Sequence, residues 1–405
     1  MLKSMSPAIA LQVTRFTASS CIGSGVAAMR EALEQARSGL TPCHFETTRI
    51  DTYIGEVPGV DQVQLPARLK RFDCRNNRLA LLGLQQDNFE ATVRASAARW
   101  GRSRVGVFLG TSTSGILNTE IAFRHLDPVT GALPADFNYA GSHNSFSVVD
   151  FVREYFELGG PAVTVCTACS SSAKVFATAQ RLIALDLIDA ALVGGVDSLC
   201  LTTLYGFHSL QLTSPAPCRP FDAARDGLSI GEAAAYALLE RVPVGATDPD
   251  SIRLLGVGES SDAFHMSSPH PEGAGARSAM QAALSAAEAN PAEIDYINLH
   301  GTGTPSNDSA EDRAVTALFG TKTPCSSTKG ATGHALGAAG ALEAVICALT
   351  LLTGLIPGGI NTQHQDPQLK LNYLTTNRRG PVRLALSNSF GFGGANCSLL
   401  FGRAA

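Results

Sequence analysis

The sequence predicts an α/β protein, and three features of the chain support this fold class. Short runs rich in valine, leucine and phenylalanine, such as residues 105–109 and 162–165, have the length and composition of buried strands. Longer segments between such runs carry apolar residues at helical spacing. The chain has 405 residues, 45% of them hydrophobic and 16% charged, so it can bury a large core, which we expect to form two lobes.

The first predicted lobe places a cysteine between a strand and a helix. Apolar residues recur at helical spacing over about residues 170–187, which predicts a helix there. This helix follows directly on the predicted strand 162–165, and another strand is predicted at residues 190–196. Cys169 is therefore expected in a tight turn where the helix starts.

The second predicted lobe repeats this arrangement. A strand over residues 294–299 leads to His300, and a glycine-rich helix begins near Gly333. Residues 384–386 and 397–401 are expected to form a hairpin around a glycine loop. Both lobes thus place polar side chains at strand ends.

The clearest linker in the chain is residues 242–251, where proline, glycine and aspartate cluster. We therefore predict one domain over residues 1–245, which carries the cysteine. A second domain is predicted over residues 246–405, and it carries the two histidines.

Composition and charge exclude several classes of protein. The net charge of -4 gives no general electrostatic reason to bind nucleic acid or an anionic membrane. The ten cysteines are scattered, mostly in apolar stretches, which suits a reducing compartment better than a disulfide framework. The apolar run near the N-terminus is too short and too interrupted for a signal peptide. We expect a cytoplasmic protein with no nucleic acid partner.

Residues 335–356 carry a single charge, Glu343, and are about long enough to cross a bilayer. Their glycines and alanines favour close packing inside a protein, and no aromatic or basic anchors flank the segment. A buried core helix is therefore predicted, and no membrane partner.

Cys169 is the first candidate nucleophile. It lies in the run TACSSSAK, where the N-terminus of a helix helps a thiol to ionise and the small neighbours leave room for a substrate. Cys166 completes a C-x-x-C spacing that also occurs in dithiol redox proteins. Since Cys166 would still lie in the apolar strand, we predict it to be a core residue and Cys169 to act alone.

Two histidines lie in glycine-rich loops. His300 opens the run HGTGTPSNDSAE, which leads into an acidic helix start. His334 lies in the run TKGATGHALGAAG, with Lys329 five residues earlier. A lysine beside a glycine turn that enters an apolar helix is expected to be buried and paired, and Glu343 is its predicted partner.

The run NSFGFGGAN places Phe390 and Phe392 among three glycines after a predicted strand. Glycines in such a loop permit movement and bring backbone amides close to a ligand. Two large apolar rings rarely occupy a turn unless they cover another group, so a loop over a binding site is predicted.

Together, the runs TACSSS, HGTGT, TKGATGHALGAAG and NSFGFGG resemble, in order and spacing, those of the β-ketoacyl-acyl carrier protein synthases, the elongating condensing enzymes of the synthase I/II type. The resemblance extends to PCRPFDAARDGLSIGEAA from Pro217 and to SDAFHMSSP from Ser261. It implies a thiolase-like fold of two similar α/β halves in five αβαβα layers. It also implies a dimer.

The resemblance assigns roles to matching residues. Cys169 would be the acyl-accepting nucleophile, and His300 and His334 would act on the malonyl group. The amides of Cys169 and Phe392 would form an oxyanion hole, with Phe392, beside Phe390, as the gate of the acyl pocket. Lys329 would hold His334. The remaining assignments, to substrate binding or to support of the catalytic groups, are Thr302, Thr304, Asp308, Glu311 and Glu343.

The implied reaction is the decarboxylative Claisen condensation of an acyl chain on Cys169 with malonyl-acyl carrier protein, in fatty acid or polyene and polyketide synthesis. The implied partner is acyl carrier protein with phosphopantetheine-linked acyl and malonyl groups, and no cofactor or metal is implied. A homodimer is expected, with a heterodimer as the alternative. Relatives known as chain length factors lack the nucleophile, whereas Cys169 is present here.

Other functions remain open from the sequence. Cys169, His300 and His334 are a residue set that zinc accepts, although none of them are close in sequence. A non-catalytic scaffold subunit and a thiolase-type reaction on coenzyme A thioesters are further alternatives. Acyl chain length is not readable, because pocket walls come from dispersed residues.

Overall fold

The computed structural model describes residues 9–243, 245, 248 and 250–404, and the elements below lie within them. The strands of the first half are β1 (Leu11–Ser20), β2 (Gly23–Ser24), β3 (Thr41–Pro42), β4 (Tyr53–Gly55), β5 (Val105–Gly110), β6 (Ala162–Val165), β7 (Ala190–Asp197), β8 (Ile230–Gly231) and β9 (Ala233–Arg241). Its helices are α1 (Val26–Glu34), α2 (Arg75–Leu84), α3 (Phe89–Trp100), α4 (Ile116–Arg124), α5 (Ser147–Phe156), α6 (Ser171–Ala184) and α7 (Leu201–Ser209).

The strands of the second half are β10 (Ile252–Ser261), β11 (Tyr296–Asn298), β12 (Pro324–Ser326), β13 (Leu355–Ile356), β14 (Asn372–Tyr373), β15 (Arg378–Arg379), β16 (Leu384–Phe390) and β17 (Ala395–Arg403). Its helices are α8 (Ala274–Ala286), α9 (Pro305–Phe319), α10 (Lys329–Thr332) and α11 (Ala339–Thr353). Short 3-10 helices lie at Val60–Gln62, Ala67–Phe72, Arg102–Arg104, Pro291–Glu293, Leu336–Ala338 and Phe392–Gly394.

The two halves share one sheet topology. In the first half the strand order is β6-β5-β7-β9-β1, and in the second it is β12-β11-β16-β17-β10, with β14 added at the edge. In each half the first three strands are parallel and the last two run antiparallel to their neighbours. The halves are therefore alike, as the resemblance implied. The predicted boundary at residues 245 and 246 stays a prediction, because residues 244, 246, 247 and 249 lie outside the described residues.

The alternation of side chains along the strands separates the layers. In β5, Val107 and Leu109 pack on one face with helices α2, α3 and α5, whereas Phe108 packs on the other with α6 and α11. In the second sheet, Ile297 and Leu386 face α8 and α9. Since residues of both sheets pack around α6 and α11, these two helices form the central layer, and the result is the five-layered thiolase-like fold.

The apolar helix of the second half lies inside the protein. The stretch Leu336–Thr353 is long and apolar enough to cross a membrane by length and composition, and 89% of it is buried between the two sheets. The prediction of a buried core helix is therefore confirmed. Burial on all sides also explains why the segment is apolar around its whole circumference.

The strand predicted over residues 162–165 is β6 with the same bounds, and the other predicted elements occur with shifted ends. The helix after Cys169 is α6, and the strand before His300 is shorter than predicted. The terminal hairpin is β16 paired with β17, with Phe390 opposite Asn396.

Candidate active site

Cys169 lies in a strained turn between β6 and α6. The residue before it, Ala168, has a φ of 53°, a backbone conformation that residues other than glycine rarely adopt. The hydroxyl of Ser171 ties the turn together, because it donates to the Ala168 carbonyl at 2.6 Å and accepts from the amide of Thr167 at 2.9 Å. The turn directs the cysteine side chain into a cavity shared by both halves of the fold.

Cys166 was predicted to be a core residue, and this prediction is wrong. The residue follows the end of β6 and is exposed. The reason is the sheet order, since β6 is the outermost strand of its sheet and Val163 in it is 37% exposed. An apolar strand at a sheet edge cannot be told from a central one by its composition.

His334 is placed by the strand β8 of the other half. Its amide donates to the Ser229 carbonyl at 2.7 Å, and its carbonyl accepts from the Gly231 amide at 3.0 Å. This pairing presents the ring to the nucleophile, so that Nε2 of His334 lies 3.0 Å from Sγ of Cys169. The two residues that the sequence placed in different lobes therefore share one hydrogen bond.

His300 joins them from the end of β11. Its amide and that of Gly301 each donate to Glu311 at 2.8 Å, which holds the loop in place. The rings of His300 and His334 meet edge to face, with centroids 5.3 Å apart. One ligating atom each from Cys169, His300 and His334 lies within 4.8 Å of the other two. The three predicted residues thus form one buried site.

Lys329 is buried and paired with Glu343, as predicted. Its Nζ also donates to the carbonyl of His300 at 2.6 Å. The expectation that Lys329 holds His334 needs correction, because among the described residues its acceptors belong to Glu343 and His300. Lys329 is the first residue of α10, and from there its side chain reaches the end of β11.

Burial sets the protonation of the site. It lowers the pKa of both histidines well below their usual 6.5, and the charge of Lys329 lowers them further. Both imidazoles are therefore neutral, as predicted. Burial raises the pKa of Cys169 to about 11, although the amide of Phe392 and the charge of Lys329 oppose this shift. Desolvation therefore outweighs the groups that favour ionisation, and the resting thiol stays protonated.

Carboxylates behind the histidines are also buried. Burial raises the pKa of Glu311 and of Glu343 to about 7. Asp308 accepts hydrogen bonds from the amides of Phe221 and Gly303, at 2.8 and 3.3 Å, and so fixes the loop that follows His300. These three groups lie outside the cavity lining and support its walls.

Two amides converge on the sulfur. The backbone N–H groups of Phe392 and of Cys169 itself lie close enough to the sulfur to lower the pKa of its thiol, and two amides beside a nucleophile are the donors that an oxyanion hole requires. A side chain at Gly391 would place its Cβ 2.7 Å from the Thr167 carbonyl and 3.3 Å from the Cys169 amide. Glycine at this position therefore lets the loop approach the nucleophile.

Aromatic rings and hydroxyls line the rest of the cavity. The ring of Phe390 lies 5.9 Å from that of His300, and Phe392 stacks on Phe207 at 5.5 Å. The hydroxyls of Thr302 and Thr304 are 2.9 Å apart in the cavity wall. The wall therefore combines apolar surface with a small polar strip.

Sequence reasoning missed Phe207 and Asp197. Phe207 lies on α7 and contacts the predicted gate. Asp197 ends β7 and is fully buried. A signal existed only for Asp197, because a carboxylate at the end of an apolar strand needs buried donors.

Two family models match most of the chain. The family model described as "Beta-ketoacyl synthase, N-terminal domain" matches residues 83–244, and "Beta-ketoacyl synthase, C-terminal domain" matches residues 252–363. The chain is 40% identical to "3-oxoacyl-[acyl-carrier-protein] synthase 2" of Rhizobium meliloti (strain 1021) over 61% of this chain and 62% of that relative. It is 36% identical to "Nodulation protein E" of the same organism over 74% and 75%.

Solved structures agree over the whole length. The ketosynthase solved as "Ketosynthase (ApeO) in Complex with its Chain Length Factor (ApeC)" from Xenorhabdus doucetiae superposes with a TM-score of 0.89. It is 39% identical, and the match covers 98% of each chain. "The ishigamide ketosynthase/chain length factor" superposes with a TM-score of 0.88 at 26% identity, over 98% of this chain and all of that chain.

Proposed function

The chain belongs to the β-ketoacyl synthase family, and from this premise we propose that it joins an acyl chain held on Cys169 to malonyl-acyl carrier protein by decarboxylative Claisen condensation. The observation that carries the proposal is the convergence of Cys169, His300 and His334 within 4.8 Å beneath two amide donors. This set supplies a nucleophile, two neutral donors and an oxyanion hole. The product is β-ketoacyl-acyl carrier protein.

The first step is acyl transfer. Sγ of Cys169 bonds to the thioester carbonyl carbon, and the bond from that carbon to the phosphopantetheine sulfur breaks. The proton of the thiol moves to Nε2 of His334, 3.0 Å away, and then to the leaving sulfur. The amides of Cys169 and Phe392 stabilise the negative charge that develops on the carbonyl oxygen.

The second step is decarboxylation of the malonyl thioester. The bond to the carboxylate breaks, carbon dioxide leaves, and the electron pair forms an enolate. Neutral His300 and His334 stabilise the enolate oxygen by donating N–H bonds, without the burial of two cations. The enolate carbon then attacks the acyl carbonyl on Cys169, the bond from that carbon to Sγ breaks, and the departing thiolate takes up one proton from solvent, because its first proton left on the phosphopantetheine thiol.

The tautomer of the two rings is free to change between these steps. Nδ1 of His300 and of His334 is buried without a hydrogen-bond partner among the described residues. A ring whose second nitrogen is not held by a partner has no fixed tautomer. We therefore assign to His334 both roles, acceptor of the thiol proton and donor to the enolate.

The remaining predicted residues take supporting roles in this proposal. Lys329 orients the loop of His300 through its carbonyl, and Glu343 neutralises the lysine. Glu311 and Asp308 hold the same loop from the other side. The hydroxyls of Thr302 and Thr304 would bind the phosphopantetheine arm.

Incubation of the purified protein with a panel of acyl-carrier-protein thioesters tests the proposal. Mass spectrometry is expected to show an acyl group on Cys169. Addition of malonyl-acyl carrier protein should then release one carbon dioxide per β-ketoacyl product. No acylation with any thioester and no carbon dioxide would refute it, whereas product from coenzyme A thioesters without decarboxylation would indicate the thiolase alternative.

We further propose that the active form is a dimer, and that a chain length factor is the partner. The edge strand β6 is unpaired on its outer side within the described residues, and Val163 projects from it. Phe123 and Val129 are also apolar and exposed, by 60% and 91%. Strand pairing with a related subunit would cover the edge. The two ketosynthase neighbours solved with chain length factors favour a heterodimer over the homodimer.

Mass measurement in solution separates these assemblies. The chain is expressed alone and together with a related subunit that lacks the nucleophile. Stable co-purification at one copy of each supports the heterodimer, and a dimer of the chain alone supports the homodimer. A monomer in both preparations contradicts the proposal.

Zinc chemistry and a scaffold role remain separate alternatives. The three site atoms lie close enough to hold a zinc ion. Activity retained after treatment with a chelator supports the condensing enzyme, and activity restored only by added zinc supports the metal. Alkylation of Cys169 with no loss of activity in the assembled complex would favour a scaffold.

The proposed compartment is the cytoplasm. All ten cysteines are free, and most are buried. Such thiols are typical of a reducing environment. Fractionation of cells that express the tagged protein tests this assignment.

A further inference from the structure

A buried carboxylate joins the two halves directly behind His334. Asp197 is the last residue of β7, in the half that carries the cysteine, and its side chain is fully buried. Its Oδ2 accepts a hydrogen bond from the amide of Gly337 at 2.5 Å. Gly337 follows His334 in the other half by three residues. One oxygen atom thus links the cysteine half to the turn after the histidine.

The other oxygen of Asp197 is held by four donors. Oδ1 accepts from the hydroxyls of Thr111 and Thr113 and from the amides of Ser112 and Thr113, each at 2.8 Å. Burial raises the pKa of Asp197, and these donors oppose the shift. Because the carboxyl group is surrounded by donors, the ionised form fits the site, and its charged hydrogen bonds are stronger than neutral ones.

The turn that Asp197 binds is itself constrained. Leu336 has a φ of 49°, a conformation that persists only where the surroundings impose it. A Cβ at Gly337 would lie 2.8 Å from Oδ2 of Asp197 and 2.8 Å from the hydroxyl of Ser112. The turn and the carboxylate therefore fit each other closely.

His334 is anchored on both sides as a result. Ser229 and Gly231 bind its backbone on one side, and Asp197 binds the turn on the other. The amide of Ala341 also donates to the hydroxyl of Ser172, at 2.9 Å, so the cysteine half binds both the turn before α11 and the first turn of that helix. These bonds cross between the halves, whereas ordinary helix caps lie within one segment.

We propose that Asp197 is a positioning residue for His334: its carboxylate holds the turn at Gly337 and thereby sets the approach of the imidazole to Cys169. The proposal deepens the proposed function and rests on it for its catalytic consequence. The coupling of Asp197 to His334 does not depend on the proposed reaction, and it can be measured without any thioester. A shift of a catalytic group by about 1 Å can lower a rate by roughly a hundredfold.

The substitution Asp197→Asn tests this most directly. An asparagine of the same shape has one amide group that must face either the Gly337 amide or the donors around Oδ1. In either orientation two donors oppose each other. The folded protein keeps its volume while the link to the turn weakens.

A double-mutant cycle with His334→Asn isolates the coupling. Cys166→Ser is used as the background because Cys166 is exposed and lies three residues from Cys169. The readout is the rate at which iodoacetamide alkylates the peptide that contains Cys169, followed by mass spectrometry. The negative charge of Asp197 also acts on the thiol itself. Asp197→Asn removes that direct effect both with His334 and with Asn at position 334, so the effect cancels in the cycle.

If Asp197 acts through His334, the effect of His334→Asn is at least about fivefold smaller in the Asp197→Asn background. If the fold-change of the double variant equals the product of the two single fold-changes within about twofold, the proposal is overturned. With acyl thioester as substrate, the Asp197→Asn variant is expected to lose roughly ten- to a hundredfold in kcat per acylatable site, with KM unchanged. If instead fewer molecules of the variant can be acylated, but kcat for each acylatable molecule is unchanged, Asp197 has a merely structural role and the proposal is also overturned.

Glu240→Gln is the matched control. Glu240 is a buried carboxylate that accepts from Thr14, Ser96 and Trp100, at 2.7, 2.8 and 2.8 Å, away from the cavity. Its cycle with His334→Asn should be multiplicative, and coupling as large as that of Asp197 would contradict the proposal.

If the Asp197→Asn variant does not fold, Thr111→Val replaces it. This substitution removes one of the four donors to Oδ1 and keeps the carboxylate. Coupling of about twofold or more in the same direction supports the proposal, and its absence contradicts it. The two proposals fail separately, because a wild-type protein that neither accepts acyl groups nor releases carbon dioxide refutes the function, while the alkylation cycle still decides the role of Asp197.

Discussion

Sγ of Cys169 lies 3.0 Å from Nε2 of His334, although the two residues are 165 positions apart. The contact spans the two halves of the fold, and both groups are buried. Because burial keeps the imidazole neutral and the thiol protonated, the pair is ready to move one proton when a thioester arrives.

Replacement of Cys169 by alanine should separate the two steps. The variant is expected to form no acyl-enzyme, because Cys169 is the only thiol among the described residues that line the cavity. Release of carbon dioxide from malonyl-acyl carrier protein should stay within about tenfold of the wild-type rate, because His300 and His334 remain. Labelled carbon dioxide measures this. Decarboxylation lost together with acylation would show that the sulfur is needed in both steps.

The two groups should respond differently to pH. Neutral imidazoles with pKa values well below 6.5 stay neutral as the pH falls from about 8 to about 6, so protonation of the two rings should not change decarboxylation over that range. Any change in decarboxylation near pH 7 is instead expected from Glu311 and Glu343, whose pKa values burial raises to about 7. A thiol with a pKa of about 11 ionises progressively, so alkylation of Cys169 should rise by nearly tenfold per unit between about pH 7 and 9. A plateau of the alkylation rate near pH 7 would show that Cys169 is already ionised there.

Lys329→Met should destabilise the fold by about 3–5 kcal/mol, because it leaves Glu343 buried without its partner. The double variant Lys329→Met with Glu343→Met should recover most of that free energy of unfolding in urea. It should not recover decarboxylation, since the bond from Lys329 to the His300 carbonyl is still missing. Full activity in the double variant would mean that the pair only stabilises the fold.

The stack of Phe207 on Phe392 should hold the gate closed. An aromatic pair contributes about 0.5–1.5 kcal/mol, so Phe207→Ala should raise hydrolysis of the acyl-enzyme roughly two- to tenfold. Acylation itself should change little, because the amide of Phe392 is retained. Leu185→Ala, at a side chain that is 68% exposed, is the control. Equal hydrolysis in wild type and Phe207→Ala would remove Phe207 from the gate.

Much of the site could be predicted because its chemistry is encoded locally. A thiol in a strand-to-helix turn, histidines in glycine loops and a lysine beside an apolar helix each leave a short pattern. The ion pair of Lys329 with Glu343 followed from the rule that a buried charge needs a partner. The resemblance to a known family then indicated that these patterns belong to one active site.

The errors concern long-range packing. Cys166 was misplaced because the position of a strand at a sheet edge depends on the order of all strands. The protonation of the resting Cys169 thiol cannot be read from its helix terminus, because its pKa depends on how completely other segments bury it. The bond from Lys329 to the His300 carbonyl is not foreseen from the sequence, since it depends on how the start of α10 lies against the end of β11.

The sequence by itself determined the α/β class, the buried helix of the second half, and the identity of the nucleophile and the two histidines. These properties follow from hydrophobic periodicity and from residue types within short segments. Only the tertiary structure decided which side chains meet, including the contact of Phe207 with Phe392 and of Asp197 with Gly337. Such contacts join segments far apart in the chain, and only the packing of two sheets around a common helical layer brings them within hydrogen-bond distance.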